Sequence, residues 1–298
     1  MIGRHGSPKG RATMLNSDQI VYLNGEFVAL EDARISVLDR GFIYGDGVYE
    51  VIPIYARTPF RMPQHLKRLQ NSLDGIRLPN PHTEGQWDAL VRELAGKQPF
   101  DDQALYLQVT RGVAMRDHIM PPDITPTVFA MVNRLYIYTP EERARGVMCV
   151  TADDFRWEKA HIKSISLAGA VLSRQMSADV GGNETIMFRD GWLSEAAASN
   201  VWVVKGGVVL GPPRDNLVLE GIRYGLLEEL CGSLGIPFEL RRVSREEVLA
   251  ADEILLSSAT KEILPCTVLD GKPVGNGRPG PIYDRLFAGY QQAKRQPA

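Results

Sequence analysis

The chain has 298 residues, of which 44% are hydrophobic and 23% are charged, and its formal net charge is -2. This length can form two ordinary domains, each with its own core. The near-neutral balance argues against a nucleic-acid partner, and no apolar run approaches the roughly 18 residues of a membrane span. Three widely spaced cysteines without a CxxC pair argue against a disulfide framework and a metal site, and they favour a reducing, cytoplasmic setting.

Strand and helix signals alternate in the N-terminal half of the chain. Asn24-Gly25 joins two short β-type runs, as expected for a hairpin, because both residues tolerate positive φ. Leucines three and four residues apart predict a helix in the run MPQHLKRLQNSLDGIRLP, and a second amphipathic helix covers roughly Glu84–Ala95. The runs ALYLQVTRG and PTVFAMVNRLYIY are predicted strands. We therefore predict a smaller α/β domain over residues 18–138, after a basic, glycine-rich tail at residues 1–17.

The second half begins after a polar stretch, residues 139–146, which we interpret as a linker. A β-type run leads into a segment that turns from strand to helix, and a meander of short strands follows with Asp190-Gly191 and Gly206-Gly207 at its turns. The run IRYGLLEELCGSLGI is predicted to be a helix ending at Gly235. Residues 147–298 are therefore predicted to form a larger domain, and the fold class is α/β of the mixed α+β kind.

One lysine has surroundings suited to covalent chemistry. Lys163 lies in the run HIKSISLAGAVL, and its apolar neighbours predict a partly buried amine. Burial disfavours the charged form of an amine, and the neutral amine is the nucleophile that forms a Schiff base. The simpler interpretation is a lysine at a strand edge whose ammonium group reaches solvent. Taken alone, this residue favours the simpler interpretation.

Three further features are candidates for a chemical site, and the first two also have a plain interpretation. Glu195, in LSEAAASN, is either an exposed turn carboxylate or the partner of a pyridinium nitrogen. The loop LEGIR, residues 219–223, opens a helix and offers backbone N–H groups to a phosphate, although a glycine before a helix is also an ordinary cap. The loop SSATKE, residues 257–262, offers hydroxyl groups. The order of these features along the chain is more specific than any one of them.

The run from Asp39 to Glu262 resembles the class IV (fold type IV) aminotransferases, and within them the bacterial D-amino acid transaminases. Seven segments carry the resemblance, in the family's order: DRGFIYGDGVYEV, HLKRL, TRGVAMRDH, IKSISLAGAVL, EAAASN, LEGI and DEILLSSATKEILP. The resemblance implies a two-domain fold with pyridoxal 5'-phosphate in the interdomain cleft. It also implies a homodimer in which the partner subunit lends a substrate-binding loop.

The resemblance assigns the cofactor-binding residues one by one. Lys163 matches the lysine that carries the cofactor as an aldimine and moves the proton, and Glu195 matches the carboxylate at the pyridine nitrogen. Arg68 matches the arginine that binds the cofactor phosphate. Ile222 and the following Arg223 match backbone phosphate donors, and Leu219 matches a side chain behind the ring.

Two positions depart from the family pattern. The family often has threonine where this chain has Arg223, so a hydroxyl contact is lost and the backbone donor remains. Ala259 replaces another usual threonine, and either Ser258 or Thr260 is the candidate replacement for its hydroxyl.

Arg116 and His118 carry the finer assignment. With Tyr49 they resemble the group that binds the substrate carboxylate in D-amino acid transaminases, where an arginine fork holds a carboxylate bidentately. The plain alternative is a pair of polar residues on an exposed loop.

The expected reaction is a ping-pong transfer of an amino group from a D-amino acid, of the D-alanine, D-glutamate or D-aspartate type, to a 2-oxo acid through Lys163. Branched-chain L-amino acid aminotransferase is the runner-up, and aminodeoxychorismate lyase uses the same scaffold. A non-catalytic pyridoxal-phosphate binding protein is the alternative from outside the enzymes.

Overall fold

The structure is a computed structural model that describes residues 19–295, so the predicted tail at residues 1–17 lies outside the described residues. The described chain forms two compact units. One contains the residues up to Tyr136 together with Ile162–Leu167, and the other contains Ile137–His161 and the residues from Ala168 onward. Lys163 therefore belongs to the first of these units, whereas the sequence division placed it in the second domain. No helix within residues 19–295 is long and apolar enough to cross a membrane.

The first unit contains a six-stranded antiparallel sheet in the order β2-β1-β6-β5-β3-β4. The predicted hairpin turn is present, with φ of 50° at Asn24 and 101° at Gly25. The central strands pair along almost their full length, and this register determines which side chains lie on the same face of the sheet. The strands are β1 (Ile20–Leu23), β2 (Glu26–Ala29), β3 (Gly47–Tyr55), β4 (Thr58–Pro59), β5 (Gln103–Thr110) and β6 (Thr127–Arg134).

Three helices belong to this unit: α1 (Arg40–Tyr44), α2 (Met62–Gly75) and α3 (Glu84–Gly96). The leucines of α2 recur on one face and are buried in the core with the central strands. Helix α3 begins at a capping box in which Thr83 and Gln86 satisfy each other's backbone N–H groups. Both long helices were predicted. The short helix α1 was not, because it lies in a glycine-rich run.

The second unit contains a nine-stranded mixed sheet in the order β12-β11-β10-β13-β14-β7-β8-β9, with β15 beside β14. The pairs β11/β12, β14/β7 and β7/β8 are parallel. Several strands, such as β8 and β10, are buried almost throughout, as expected for a sheet covered on both faces. The strands are β7 (Val147–Asp153), β8 (Glu184–Arg189), β9 (Trp192–Ala196), β10 (Asn200–Lys205), β11 (Val208–Gly211), β12 (Phe238–Leu240), β13 (Glu253–Ser258), β14 (Glu262–Leu269) and β15 (Lys272–Pro273).

The helices of the second unit are α4 (Pro140–Arg145), α5 (Ala168–Asp179), α6 (Ile222–Leu234), α7 (Arg245–Leu249) and α8 (Pro281–Ala293). Helix α6 ends at Gly235, as predicted, and this glycine has φ of 62°. Helix α4 occupies the stretch that the sequence suggested as a linker. Thr139 and Glu142 form a capping box there, and a proline stands in the first turn, so the polar stretch has the local signals of a helix start.

Candidate active site

The backbone of Lys163 is fixed by two elements of its own unit. The amide of Tyr49, in β3, donates to the Lys163 carbonyl at 3.0 Å. The Lys163 amide donates to the hydroxyl of Ser72, in α2, at 3.2 Å. The next residue, Ser164, forms a β-bridge with Val48. The lysine thus projects from a short irregular segment that is held against the end of a long strand.

The Lys163 amine lies over the aromatic ring of Tyr49. Its Nζ is 4.0 Å from the centre of the Tyr49 ring, the residue is half-buried, and no carboxylate pairs with the amine anywhere in residues 19–295. Tyr49 stacks on Tyr106 with ring centres 5.7 Å apart, and the Tyr106 hydroxyl donates to Gln108 at 2.7 Å. Burial raises the pKa of Tyr106 to about 12. The expected partial burial of Lys163 is confirmed, and within the described part of the chain its amine lacks the carboxylate that would hold a structural lysine.

Arg68 donates two hydrogen bonds to a buried carboxylate. Its Nε and one terminal nitrogen donate to the two oxygens of Glu50 at 2.7 and 2.8 Å, and Nδ1 of His65 lies 2.9 Å from the same carboxylate. Burial alone would raise the pKa of Glu50, but Arg68 and His65 lower it to about 2. The fork of Arg68 therefore has one fixed orientation, which suits a residue that must meet an anion in a defined place.

Arg116 and His118 lie on an exposed loop, residues 113–119, which we call the Arg116 loop. Their side chains converge on one ring of α1. The Arg116 guanidinium carbon is 5.5 Å from the Tyr44 ring centre, and the His118 ring centre is 5.3 Å from it. Tyr49, the third residue predicted to bind the substrate carboxylate, contacts the Lys163 amine, as described above. The structure thus brings the arginine and the histidine together.

Glu195, at the end of β9, is a buried carboxylate with three donors. Arg156 donates to one oxygen at 2.7 Å. The Leu219 amide and the Asn200 side chain donate to the other oxygen at 3.2 and 3.4 Å. Arg156 is held in turn by Asp154, with Nε and a terminal nitrogen each 2.9 Å from its carboxylate oxygens. Glu195 therefore has a fixed position and is not the exposed turn carboxylate of the plain interpretation.

Electrostatics differ at the two carboxylates that bind Arg156. Burial raises the pKa of Glu195, and Arg156 opposes this effect only in part. Burial also disfavours ionised Asp154, but Arg156 and the Ser194 hydroxyl lower the pKa of Asp154 to about 2. Asp154 thus stays ionised and keeps Arg156 in place, whereas Glu195 is a carboxyl group whose charge is costly until a second cation approaches it.

The start of α6 has the features of an anion-binding site. Gly221 caps the helix without a side-chain hydrogen bond to the first N–H groups. A Cβ on Gly221 would lie 2.0 Å from the side-chain oxygen of Asn200, so no larger residue fits. Asn200 also donates to the Leu219 carbonyl at 2.9 Å. The same asparagine therefore holds both this loop and Glu195.

Arg223 is buried and joins the two predicted phosphate loops. One terminal nitrogen donates to the Ala259 carbonyl at 3.3 Å, and its guanidinium carbon lies 5.6 Å from the Tyr290 ring centre. In the second loop, the Ser258 hydroxyl accepts the Lys261 amide at 3.2 Å. Ser258 and Ala259 are half-buried and Thr260 is exposed.

The sequence did not indicate several residues that shape these groups. Tyr44, Glu50 and Asn200 lie within segments that carried the resemblance, and each also contacts a residue of another segment, namely Arg116, Arg68 and Leu219 respectively. Asp154 and Arg156 follow β7 in DDFRW, where a charged pair directly after a strand was the available signal. Among residues 19–295, no group of histidine, cysteine and acidic side chains can hold a metal ion.

Each of these groups, taken by itself, has the chemistry to bind one part of a phosphorylated pyridine aldehyde. A half-buried amine without a carboxylate partner can bond to the aldehyde, and a buried carboxyl group that needs a second cation can meet a protonated ring nitrogen. The backbone N–H groups at the start of α6, where Gly221 leaves no room for a Cβ, can donate hydrogen bonds to the phosphate.

Comparison with known proteins agrees with this chemistry. Residues 47–269 match the family model described as amino-transferase class IV. The chain is 37% identical over 274 residues to a D-alanine aminotransferase of Bacillus licheniformis, covering 92% of this chain and 96% of the relative. It is 35% identical over 273 residues to a D-alanine aminotransferase of Staphylococcus epidermidis, covering 91% and 96%.

Solved structures share the fold. The branched-chain amino acid aminotransferase of Escherichia coli superposes with a TM-score of 0.85 at 26% identity, covering 92% of this chain and 94% of the other. A second branched-chain amino acid aminotransferase, from the organism abbreviated T.th. and solved with pyridoxamine 5'-phosphate, gives a TM-score of 0.88 at 24% identity, covering 94% and 96%.

The chain therefore belongs to the class IV aminotransferase family. It is a pyridoxal-phosphate-dependent transaminase with the mixed α/β fold of that family. The predicted family, fold class, cofactor and type of enzyme are confirmed.

Proposed function

We propose that this transaminase takes its amino group from a D-amino acid, of the D-alanine, D-glutamate or D-aspartate type, and gives it to a 2-oxo acid. The observation that carries the proposal is the convergence of Arg116 and His118 on the Tyr44 ring. An arginine fork beside a second donor is suited to a carboxylate. The relatives named D-alanine aminotransferase, 33–37% identical over most of the chain, support the same assignment.

Lys163 and Glu195 are proposed to act on the cofactor. Pyridoxal phosphate, when bound, supplies the electron sink that makes the Cα–H bond of an amino acid acidic. Lys163 would carry the cofactor and, once released by the substrate, take and return the Cα proton. Glu195 would hold a proton on the ring nitrogen, with Arg156 and Asn200 keeping its carboxylate in place.

The phosphate is proposed to be bound by Arg68 and by the backbone N–H groups of Ile222 and Arg223. Glu50 orients the arginine, and the start of α6 offers backbone N–H donors and the positive end of a helix dipole. Ser258 or Thr260 would add a hydroxyl from the second loop, beside Ala259. Leu219 would lie behind the ring.

The preferred hand of the substrate follows from where its carboxylate is bound. The Cα–H bond must point to the lysine that takes the proton, so exchanging the carboxylate and side-chain positions exchanges the preferred enantiomer. Arg116, His118 and Tyr49 are proposed to fix the carboxylate position. Losing a charge-assisted contact typically costs about 1.5–3 kcal/mol, so Arg116→Ala should lower kcat/KM roughly ten- to a hundred-fold.

The second candidate is a branched-chain L-amino acid aminotransferase. The solved structure that favours it has a TM-score of 0.85 at 26% identity. The two candidates differ in how the carboxylate is bound and share the chemistry at the cofactor.

The test is an activity screen of D- and L-amino acids with 2-oxoglutarate or pyruvate as acceptor. We expect D-alanine, D-glutamate or D-aspartate to be better donors than L-leucine or L-valine. Arg116→Ala is compared with Arg92→Ala, which removes an exposed arginine on α3 that pairs with Asp88. Turnover of L-leucine without turnover of D-alanine would establish the branched-chain alternative.

The lysine assignment has its own test. Borohydride reduction of the enzyme, followed by peptide mapping, should place the pyridoxyl group on Lys163. A label on any other lysine would show that the assignment is wrong.

We also propose a homodimer. Large apolar side chains are exposed on and beside the Arg116 loop, with Val37 at 72%, Phe42 at 69%, Met115 at 76% and Ile119 at 75% exposure. An apolar cluster around a functional loop is typical of a surface that is covered in the assembly. Sedimentation of the purified enzyme should give twice the chain mass, and Phe42→Asp should lower that mass towards one chain. A cytoplasmic setting is proposed from the three cysteines, which are all free.

A further inference from the structure

Arg40, the first residue of α1, is buried and reaches into the Arg116 loop. Its Nε donates to Asp46 at 2.8 Å. One terminal nitrogen donates to the carbonyl of Asp117 at 2.6 Å and lies 3.4 Å from the carbonyl of Ile119. These two carbonyls flank His118 on either side. Arg40 thus holds the backbone of the loop at the position from which His118 projects.

The same guanidinium also contacts the ring on which the loop side chains converge. Its central carbon lies 4.8 Å from the Tyr44 ring centre, because residues four apart on a helix share a face. The Tyr44 ring is the one approached by Arg116 and His118. Arg40 therefore supports the loop through its backbone and through the aromatic surface beneath its side chains.

A second buried arginine provides a natural comparison. Nε of Arg111 donates to the same Asp46 oxygen at 2.8 Å, but its terminal nitrogens donate to the carbonyls of Ile76 and Arg77 at 2.7 and 3.2 Å. Arg40 and Arg111 are 4% and 3% exposed. They share burial, charge and a carboxylate partner, and they differ in the backbone that they hold.

We propose that Arg40 is a positioning residue for substrate binding, which fixes the Arg116 loop and the Tyr44 ring so that Arg116 and His118 meet the substrate carboxylate. This inference rests on the proposed role of Arg116 and His118. Two side chains can hold one carboxylate only if both are kept near the productive geometry, and a misplacement of about 1 Å can cost up to roughly a hundred-fold in rate. A backbone anchored on both sides of His118, above a fixed ring, meets that requirement.

The test compares Arg40→Lys with Arg111→Lys in the holoenzyme. Lysine keeps the charge for Asp46 but cannot reach several acceptors with one planar fork. For Arg40→Lys we expect KM for D-alanine and for pyruvate to rise about tenfold, with kcat within about twofold and an unchanged cofactor absorbance spectrum. For Arg111→Lys we expect KM to stay within about twofold, because its carbonyl partners lie outside the loop.

If Arg40→Lys does not fold, Tyr44→Leu removes the ring and leaves Arg40 in place, and KM should rise in the same way. An unchanged KM in the variant that folds, or an equal rise in Arg111→Lys, would overturn the proposal. Arg116→Ala measured in parallel separates the two ideas. If it raises KM and Arg40→Lys does not, only the role of Arg40 is wrong. If Arg116→Ala leaves KM unchanged, the carboxylate group itself is wrong and the role of Arg40 falls with it.

Discussion

Replacing Glu50 by glutamine is expected to lower the free energy of unfolding of the apoprotein by about 3 kcal/mol at neutral pH. The Glu50 side chain is 1% exposed and receives Arg68 and His65. Its pKa falls from 4.5 to about 2 in the folded chain. At roughly 1.4 kcal/mol for each pKa unit, this difference corresponds to about 3 kcal/mol. Glutamine has a similar size but cannot offer Arg68 two charged oxygens.

The predicted loss of stability depends on pH. Because the folded pKa of Glu50 is lowered, its stabilisation is fully present above the unfolded value of 4.5 and is lost as pH falls through about 2. Urea denaturation of wild type and Glu50→Gln at pH 7 should therefore show the full gap in unfolding free energy. The gap should shrink to less than about half at pH 3, where wild-type Glu50 has lost most of this advantage. A gap equal at both pH values would show that the stabilisation does not come from this ionised carboxylate.

The same variant should weaken cofactor binding, because Arg68 loses the partner that orients its fork. The dissociation constant for pyridoxal phosphate, measured by fluorescence titration of the apoprotein, should rise about tenfold or more. Glu253→Gln is the matched control. Glu253 is another buried carboxylate, which accepts the amides of Ile282 and Tyr283 at 2.9 Å each. That variant should lose stability and keep its cofactor affinity, so equal weakening in both variants would refute an orienting role for Glu50.

Three further substitutions, two at the Glu195–Arg156 pair and one at the start of α6, have expected outcomes. Glu195→Gln should lower kcat at least a hundred-fold in the cofactor-saturated enzyme while melting close to wild type, because Arg156 keeps its two bonds to Asp154. Arg156→Met removes the main group that lowers the pKa of Glu195, so the acidic limb of the kcat–pH profile should move to higher pH, and an unmoved limb would count against this coupling. Gly221→Ala places a Cβ 2.0 Å from the Asn200 oxygen, so cofactor affinity should fall by at least tenfold in a fluorescence titration, whereas Gly232→Ala, which meets no atom within 4 Å, should leave it unchanged.

Local patterns in the sequence were sufficient to predict the main elements of the fold. The Asn24-Gly25 turn, the leucine spacing of α2 and the Gly235 stop of α6 each arise from interactions within a few residues. The sheets were harder to predict, because strand order depends on contacts between distant segments. Lys163 shows the difference clearly. The sequence pattern assigns its run to the second half of the chain, but its neighbours in space are Tyr49 and Ser72, in the first unit.

In the candidate site, too, local patterns identify some features, whereas others depend on residues distant in the chain. Glu195 was identified through its motif, but its environment depends on Asp154 and Arg156, about forty residues earlier in the chain. The parallel pairing of β7 with β8 and the hairpin from β8 to β9 bring these residues together. A pattern can therefore indicate that a carboxylate is functional, whereas the direction of its pKa shift requires knowledge of burial and of distant charges.

Arg223 shows why a departure from a motif does not by itself remove a site. A side chain at the second position of a helix can either lie over the helix start or turn away from it. Here the guanidinium turns towards the Ala259 carbonyl and the Tyr290 ring. Its charge near the positive end of α6 is unfavourable for the helix alone and would be offset by an anion bound there. The substitution is therefore compatible with the proposed phosphate binding through the backbone, and where the resemblance implies a hydroxyl contact this chain has a bond that joins the two loops.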